Sequence, residues 1–342
     1  MRIELYSKKH FFKLITFLAN FESDVRGKSF WEARLNHWWR DNPYCDSKSN
    51  KGYLLLNDNN LIVGFLGNIS QLFIIAGREK IVNNATTWRV ERKYRTHSLL
   101  LFTKLLQDSN NSILFDTTPT ERVQKLLYAY KFEKIIVDRR SILRTTFKNN
   151  SPKLLNKILS SLSIFLDQLL IFYYNIKLSS NHLSTKIIPA NEINYQFDDL
   201  WRETRENYLN TMVRNSNTIR WYLQNTFSKN KILIACFNKQ KIQGYAIFTY
   251  KKSSSIKMVD FWCSREEHNT FKTILLNTIS FAREKNIKKI YCYHFNDHIG
   301  KVIKPLFSRF KPIKTRFFYK SNNVVFDQQN TYLSMTLGDF GL

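Results

Sequence analysis

Residues 88–106 read WRVERKYRTHSLLLFTKLL. An apolar stretch ends at Val90. A run carrying Arg92, Lys93, Arg95 and His97 follows, and from Ser98 the pattern is that of a helix. A strand that gives way to a basic turn and then a helix start can hold an anion, because cationic side chains join backbone N–H groups and the positive end of the helix dipole. The Ser98 hydroxyl adds a donor, to a phosphate oxygen or as an N-cap. Earlier in the chain, Trp38 and Trp39 place two indole rings side by side, fit either to stack on a sugar ring or to pack at a helix end.

The surrounding elements must position these groups. Residues 8–21 carry Phe11, Phe12, Leu14, Ile15, Leu18 and Phe21 at helical spacing, and a second helix over 30–40 stops before Asn42-Pro43. Strands over 52–56 and 61–66 flank a turn at 57–60, and further strands follow over 71–75, 80–82 and 85–90. A helix over 98–106, a strand over 113–115 and a helix over 119–130 come next, with Thr118 as N-cap and Glu121 completing a capping box. Strands over 132–137 and 141–146 close this half. Residues 147–153 read as a linker and 154–174 as an amphipathic helix, whose longest apolar run is too short to cross a bilayer. From about 185 the order repeats: helices over 197–208 and 218–224, a hairpin over 231–250, a strand over 256–263, a helix over 268–285 and a strand over 288–293. Each half places an aromatic pair near the end of the helix before its first hairpin, Trp38-Trp39 and Trp221-Tyr222, as an internal repeat would. The expected class is α/β, each half a mixed central sheet with helices on both faces.

The 88–106 stretch resembles the coenzyme A segment of the GCN5-related N-acetyltransferases, where a strand ending in Val leads into a loop R/Q-x-x-G-x-G/A and then a helix. In that register Val90 ends the strand and Arg95 holds the R/Q position. Ser98 and Leu100 stand where small residues are usual; glycine there lets a phosphate approach the backbone, and Leu100 does not. The resemblance implies that Val90, Arg95, Thr96, His97, Ser98, Leu99 and Leu100 bind acyl-CoA, acetyl-CoA in particular, as a co-substrate, with no metal. Residues 113–132 resemble the next strand and helix of that family, whose Tyr often protonates the departing thiolate. Leu127 falls at its place and Tyr128 one residue on, so Tyr128 is the candidate acid. Glu91, Asp116 and Asp260, near strand ends, are candidates for the base, with Asp260 also assigned, beside Trp38 and Trp39, to the acceptor.

A narrower resemblance is to tandem members found with bacterial surface-polysaccharide genes. It rests on WW-x-x-NP (Trp38, Trp39, Asn42, Pro43), on V-x-x-x-Y-R at Val90–Arg95, and on a hydrophobic C-terminal strand whose tail contains Asp339. It implies two tandem domains, 1–148 and 185–342, joined by 149–184. The second lacks the phosphate loop, its 263–271 stretch being acidic at Glu266 and Glu267, and is expected to shape an acceptor groove at the domain interface. The implied reaction moves an acyl group from acyl-CoA to an amine or hydroxyl of an amino sugar or sugar nucleotide.

Composition sets the frame. The chain has 342 residues, 53 Lys and Arg against 27 Asp and Glu, and a net charge of +26. Such a field draws phosphorylated small molecules, anionic membrane or nucleic acid, or marks a basic surface without a specific partner. Four cysteines without metal spacing, and an N-terminus unlike a signal peptide, point to a cytoplasmic protein, peripheral at the inner membrane face if 154–174 docks there. Two alternatives remain open on the sequence. One is a Fem-type peptidyltransferase using aminoacyl-tRNA, which fits the missing glycines. The other is a non-enzymatic nucleic-acid binder, supported by charge alone.

Overall fold

The computed structural model describes residues 1–22, 24–109, 112–145, 169, 182–224, 230–251, 255–264, 268–285, 287, 289–294, 309–327 and 329–339. The linker at 147–153, the amphipathic stretch 154–174 apart from Leu169, and Glu266 and Glu267 lie outside them. None of the described helices is long and apolar enough to cross a membrane.

In the first half, β1 (Arg2–Leu5) is followed by α1 (Phe11–Ala19) and α2 (Lys28–Trp39). Helix α2 buries Trp31, Leu35, Trp38 and Trp39, at i, i+4, i+7 and i+8, which makes one apolar stripe. It ends where Asn42 Nδ2 donates to the Trp38 and Ser70 carbonyls (3.0 and 2.8 Å). Strands β2 (Gly52–Leu56), β3 (Ile62–Ile75) and β4 (Arg78–Val90) form an antiparallel meander. The sequence suggested several short strands here, because polar residues interrupt the apolar runs. The structure joins them, since Asn68, Ser70 and Gln71 are buried inside β3 and bonded there; Asn68 Nδ2, for example, reaches Asn83 Oδ1 at 2.7 Å. A two-residue turn with positive φ at Ala76 and Gly77 connects β3 to β4.

Helix α3 (Ser98–Asp108), β5 (Leu114–Asp116), α4 (Glu121–Ala129) and β6 (Glu133–Thr145) follow. Thr120, not Thr118, caps α4, accepting from Val123 N at 3.4 Å. The two short strands expected over 132–146 are one.

The second half contains β7 (Leu183–Ile188), α5 (Tyr195–Thr204), β8 (Asn210–Met212), α6 (Ser216–Leu223), β9 (Lys231–Asn238), β10 (Lys241–Lys251), β11 (Ser255–Cys263), α7 (His268–Glu284), β12 (Lys289–His294), β13 (Arg309–Lys320) and β14 (Thr331–Tyr332). All the described strands belong to one mixed sheet, ordered β1-β2-β3-β4-β5-β13-β6-β12-β11-β10-β9-β7, with β8 attached to β3 and β14 to β8. Strand β13 inserts between β5 and β6, so the halves exchange strands at their junction. The β4–β5 and β11–β12 pairs are parallel. The repeated aromatic helices meet: His37 of α2 stacks on Trp221 of α6 (centroids 5.2 Å apart), and Trp221 Nε1 donates to the His37 carbonyl (2.8 Å).

Alternate residues of the first-half strands feed two cores. Leu55, Val63, Leu66 and Val90 face α3 and α4, while Leu54, Leu56, Ile62 and Phe65 face α1, α2 and the core shared with the second half.

Candidate functional site

Strands β4 and β5 run parallel only from Asn83↔Leu114 to Ala85↔Asp116. There β5 stops, while β4 continues through Thr86–Val90. The sheet therefore opens beyond the Ala85–Asp116 pair. At the same point β4 bulges. Its partners on β3 step from Gly67↔Thr86 to Phe65↔Arg89, so Leu66 alone opposes Thr87 and Trp88. Thr87 has φ of 51°, which a β-branched residue rarely adopts. Beyond the bulge Trp88 turns toward α3, stacking on Phe102 (5.2 Å, 13°), and Arg89 turns toward α1, with its Nη1 3.4 Å from the Leu18 carbonyl.

The C-terminal tail crosses to this opening. Gln71 Nε2 donates to the Thr336 carbonyl and Gln71 Oε1 accepts from Gly338 N, which fixes the tail on β3 (3.0 and 2.8 Å). Asp339 then spans the opening, accepting from Thr86 Oγ1 on one side (2.6 Å) and Thr118 Oγ1 on the other (3.2 Å). Arg34 of α2 approaches the same carboxylate at 3.6 Å. Asp116 ends β5 buried beside it; burial first, and the charge of Asp339 second, push its carboxyl up to about 7. A carboxyl in that range can take up and release a proton near neutral pH.

The α1–α2 side of the site is walled by arginines on aromatic rings. Arg26, Arg34 and Arg89 lie 4.7, 5.9 and 4.9 Å from the Trp31 ring. Asp24 accepts from Arg26 and from Arg89 Nη1 (2.6 Å), and these bonds hold its carboxyl well below the usual range. Burial lowers Arg34 to about 10.

The loop after β4 departs from the expected open turn. Residues Arg92–His97 form a 3-10 helix that runs directly into α3, with Glu91 at its start. Val90 is buried and pairs with Gly64. Arg95 reaches across to Glu22, three residues beyond α1 (3.5 Å), and Thr96 Oγ1 lies 3.1 Å from His97 Nδ1. Ser98 is half-buried in the first turn of α3. Leu99 and Leu100 are 43% and 50% exposed, so neither fills the opening. Tyr128 is exposed on α4, its ring edge-on to Phe318 at 5.1 Å, and Phe318 is the β13 partner of Asp116. Leu127 is fully buried. Beside the loop lies a groove of about 940 Å³ between α1, the β2–β3 turn and Glu91–Lys93.

Three expected acceptor residues lie elsewhere. Trp38 is wholly buried under the Arg34 guanidinium (4.6 Å). Trp39 is buried against Tyr6 (4.4 Å) and donates from Nε1 to the Asn68 carbonyl (3.0 Å). Both rings have their faces in the core, where no sugar can stack. Asp260 is buried in an ion pair with Arg214 (3.1 Å), whose guanidinium lies over Trp262 and Tyr332. It builds the second half's interior instead of an acceptor surface. Conversely, the contacts that join Thr86, Thr118 and Arg34 to Asp339 span most of the chain, and no spacing rule in the sequence announces them.

No protein-family model matches the chain, and no curated protein matches it. Solved structures do. A conserved protein of unknown function from Enterococcus faecalis V583, described as a probable N-acyltransferase, aligns over 93% of this chain and 72% of its own, at 11% identity and a TM-score of 0.61. A GCN5-related N-acetyltransferase from Kribbella flavida aligns over 93% and 70%, at 11% identity and a TM-score of 0.60. The Saccharomyces cerevisiae N-myristoyltransferase with bound myristoyl-CoA aligns over 97% and 82%, at 10% identity and a TM-score of 0.53. With a parted, bulged β4 at its centre, this chain has the fold of the GCN5-related N-acetyltransferases.

Proposed function

We propose that the protein is an acyl-CoA-dependent acyltransferase working at the β4–β5 opening. The observation that carries this reading is the parting of β4 from β5 at Ala85–Asp116, with a bulge at Thr87 and the buried carboxyl of Asp116 at its base. A thioester laid along Thr86–Val90 would place its carbonyl at the bulge, where a residue displaced from the ladder can turn its N–H toward the developing oxyanion. The acceptor, an amine or hydroxyl, attacks that carbonyl carbon from the α1–α2 side. Asp116, sharing charge with Asp339, takes the acceptor's proton. The C–S bond then breaks, and Tyr128, on the α4 side of Phe318, protonates the leaving thiolate. Glu91 and the 95–100 stretch border the donor's phosphates.

For the acceptor we favour an amino sugar or sugar nucleotide, in surface-glycan assembly. The net charge of +26 and the arginine wall suit a phosphorylated acceptor. The test is thiol release from acetyl-CoA with a panel of amino sugars and their nucleotides. Turnover should fall at least about 100-fold in Asp116→Asn, in line with the loss of a general base. Full activity in that variant would remove Asp116 from the mechanism.

A further inference from the structure

We infer that the face formed by α1, the β2–β3 turn and the residues after β4 docks on an anionic lipid bilayer, with Phe12 and Leu61 entering the interface and basic side chains meeting the headgroups. Phe12 is 75% exposed and Leu61 60%; they come from different elements, yet both stand on one groove. Phe17 and Phe21 are half-buried along it, and most of its exposed lining is apolar. Large apolar side chains held out together in water mark a surface that another apolar surface covers. The rim is basic. Lys13 of α1 and Arg92 and Lys93 after β4 are exposed on the groove, and Lys8 and Lys9 are exposed in the turn before α1. The facing carboxylates are largely engaged: Glu4 with Lys9 (2.7 Å), Glu22 with Arg95 (3.5 Å), and Asp58 with the amino group of Met1 (2.8 Å), while Glu91 is half-buried.

Apolar tips set among basic side chains decide what the partner is. A lysine stem lies along hydrocarbon while its ammonium reaches a phosphate, so the two residue types act together at a membrane surface. A polynucleotide would satisfy the charge but offers no hydrocarbon to Leu61, which has no ring face to stack. A second copy of this chain, joined through the same face, would set these cations against one another. A bilayer containing anionic lipid supplies both partners, hydrocarbon for Phe12 and Leu61 and a negative surface for the lysines. None of the described helices can cross that bilayer, so the contact is peripheral. The face also carries Glu91–Lys93, the residues that leave β4 at the opening, and docking sets that end of β4 against the membrane. Docking does not depend on the acyl-transfer reading; where both hold, the acceptor is met at the membrane surface.

The test is co-sedimentation of the full chain with vesicles of phosphatidylcholine alone and of phosphatidylcholine mixed with phosphatidylglycerol. A net charge of +26 can adsorb to an anionic surface from any side, so variants carry the decision. Phe12→Ala combined with Leu61→Ala removes the apolar tips, Lys13→Glu reverses one rim charge, and Tyr195→Ala, an exposed aromatic on α5, is the control. All changes lie on exposed side chains, and a thermal melt confirms folding. The chain should bind the mixed vesicles well above phosphatidylcholine alone. Affinity should fall about tenfold or more in the double variant and several-fold in Lys13→Glu, and stay unchanged in Tyr195→Ala. No binding to the mixed vesicles, equal binding to both kinds, or binding unchanged in both face variants overturns the assignment. Self-association without lipid that is lost in the double variant gives the face to a second copy and overturns it too. Calorimetry with acetyl-CoA keeps the two readings apart: docking through this face without acetyl-CoA binding leaves docking standing and the transferase reading fallen, and the converse leaves the transferase reading alone.

Discussion

Asp116 carries the clearest chemical signature at the level of single residues. Its carboxyl is raised from 3.8 to about 7 by burial and by Asp339. A folded-state value above the unfolded one means the native state holds the proton more tightly. The stabilisation from Asp116 is therefore complete below about pH 4 and is lost as pH rises through 7. Asp116→Asn should be more stable than the parent above pH 7, by an amount on the order of 1–4 kcal/mol, with the slope between pH 4 and 7 reduced. Urea unfolding across that range measures it, and equal pH slopes would show that the carboxyl ionises normally. Thr87 tests the bulge. With φ of 51° it carries the cost of a left-handed conformation, about 1–2 kcal/mol for a residue with a Cβ, whereas glycine accepts that angle freely. Thr87→Gly should leave stability unchanged or raise it by about 1 kcal/mol; a clear loss would mean that β4 does not bulge there. Asp116 was visible in the sequence as a carboxylate at a strand end. Its partner was not, because Asp339 reaches Thr86 across 253 positions.

Helices and strands whose signal is local periodicity were legible in the sequence. Helices α1, α2, α3, α6 and α7 lie within a few residues of where apolar spacing put them. The long strands were read as fragments, because Asn68, Ser70 and Gln71 look like loop residues until burial and their bonds are seen. The same limit misplaced the tryptophans. Type and spacing suit both a binding face and a core, and only the packing of Arg34 and Tyr6 against them decides. Helix α2 is thus a core element, and Trp38→Ala should cost about 3–5 kcal/mol in denaturant unfolding, as truncation of a fully buried aromatic does. Trp38→Phe should leave acetyl-CoA affinity within about twofold, well under the effect of a lost binding contact. A loss below about 1 kcal/mol in the alanine variant would contradict the core assignment.

Across the whole molecule, the two halves are tied by exchanged strands and by the tail. Strand β13 enters beside β5, and residues 331–339 run between β8, β3 and the opening. One carboxylate at the site, Asp339, therefore depends on how residues 331–338 are held. Gly338 makes that delivery possible: its φ is 64°, and a Cβ there would come within 2.7 Å of Thr117 Oγ1. Gly338→Ala should displace Asp339 and depress turnover, while Asp339→Asn should depress turnover with the tail still in place. Hydrogen exchange separates them, with amides 331–337 losing protection only in the alanine variant. Equal protection in both would show that Gly338 does not set the tail. The duplicated order of elements was readable from the sequence. The strand exchange was not, since pairing between distant segments leaves no periodicity behind.

The central claim is that the opening between β4 and β5 accepts the thioester of an acyl-CoA, and calorimetric titration with acetyl-CoA tests it most directly. Saturable one-to-one binding is expected, with a dissociation constant on the order of micromolar to submillimolar, weakened several-fold in Arg95→Ala. No heat of binding at millimolar acetyl-CoA to the folded protein would contradict the account.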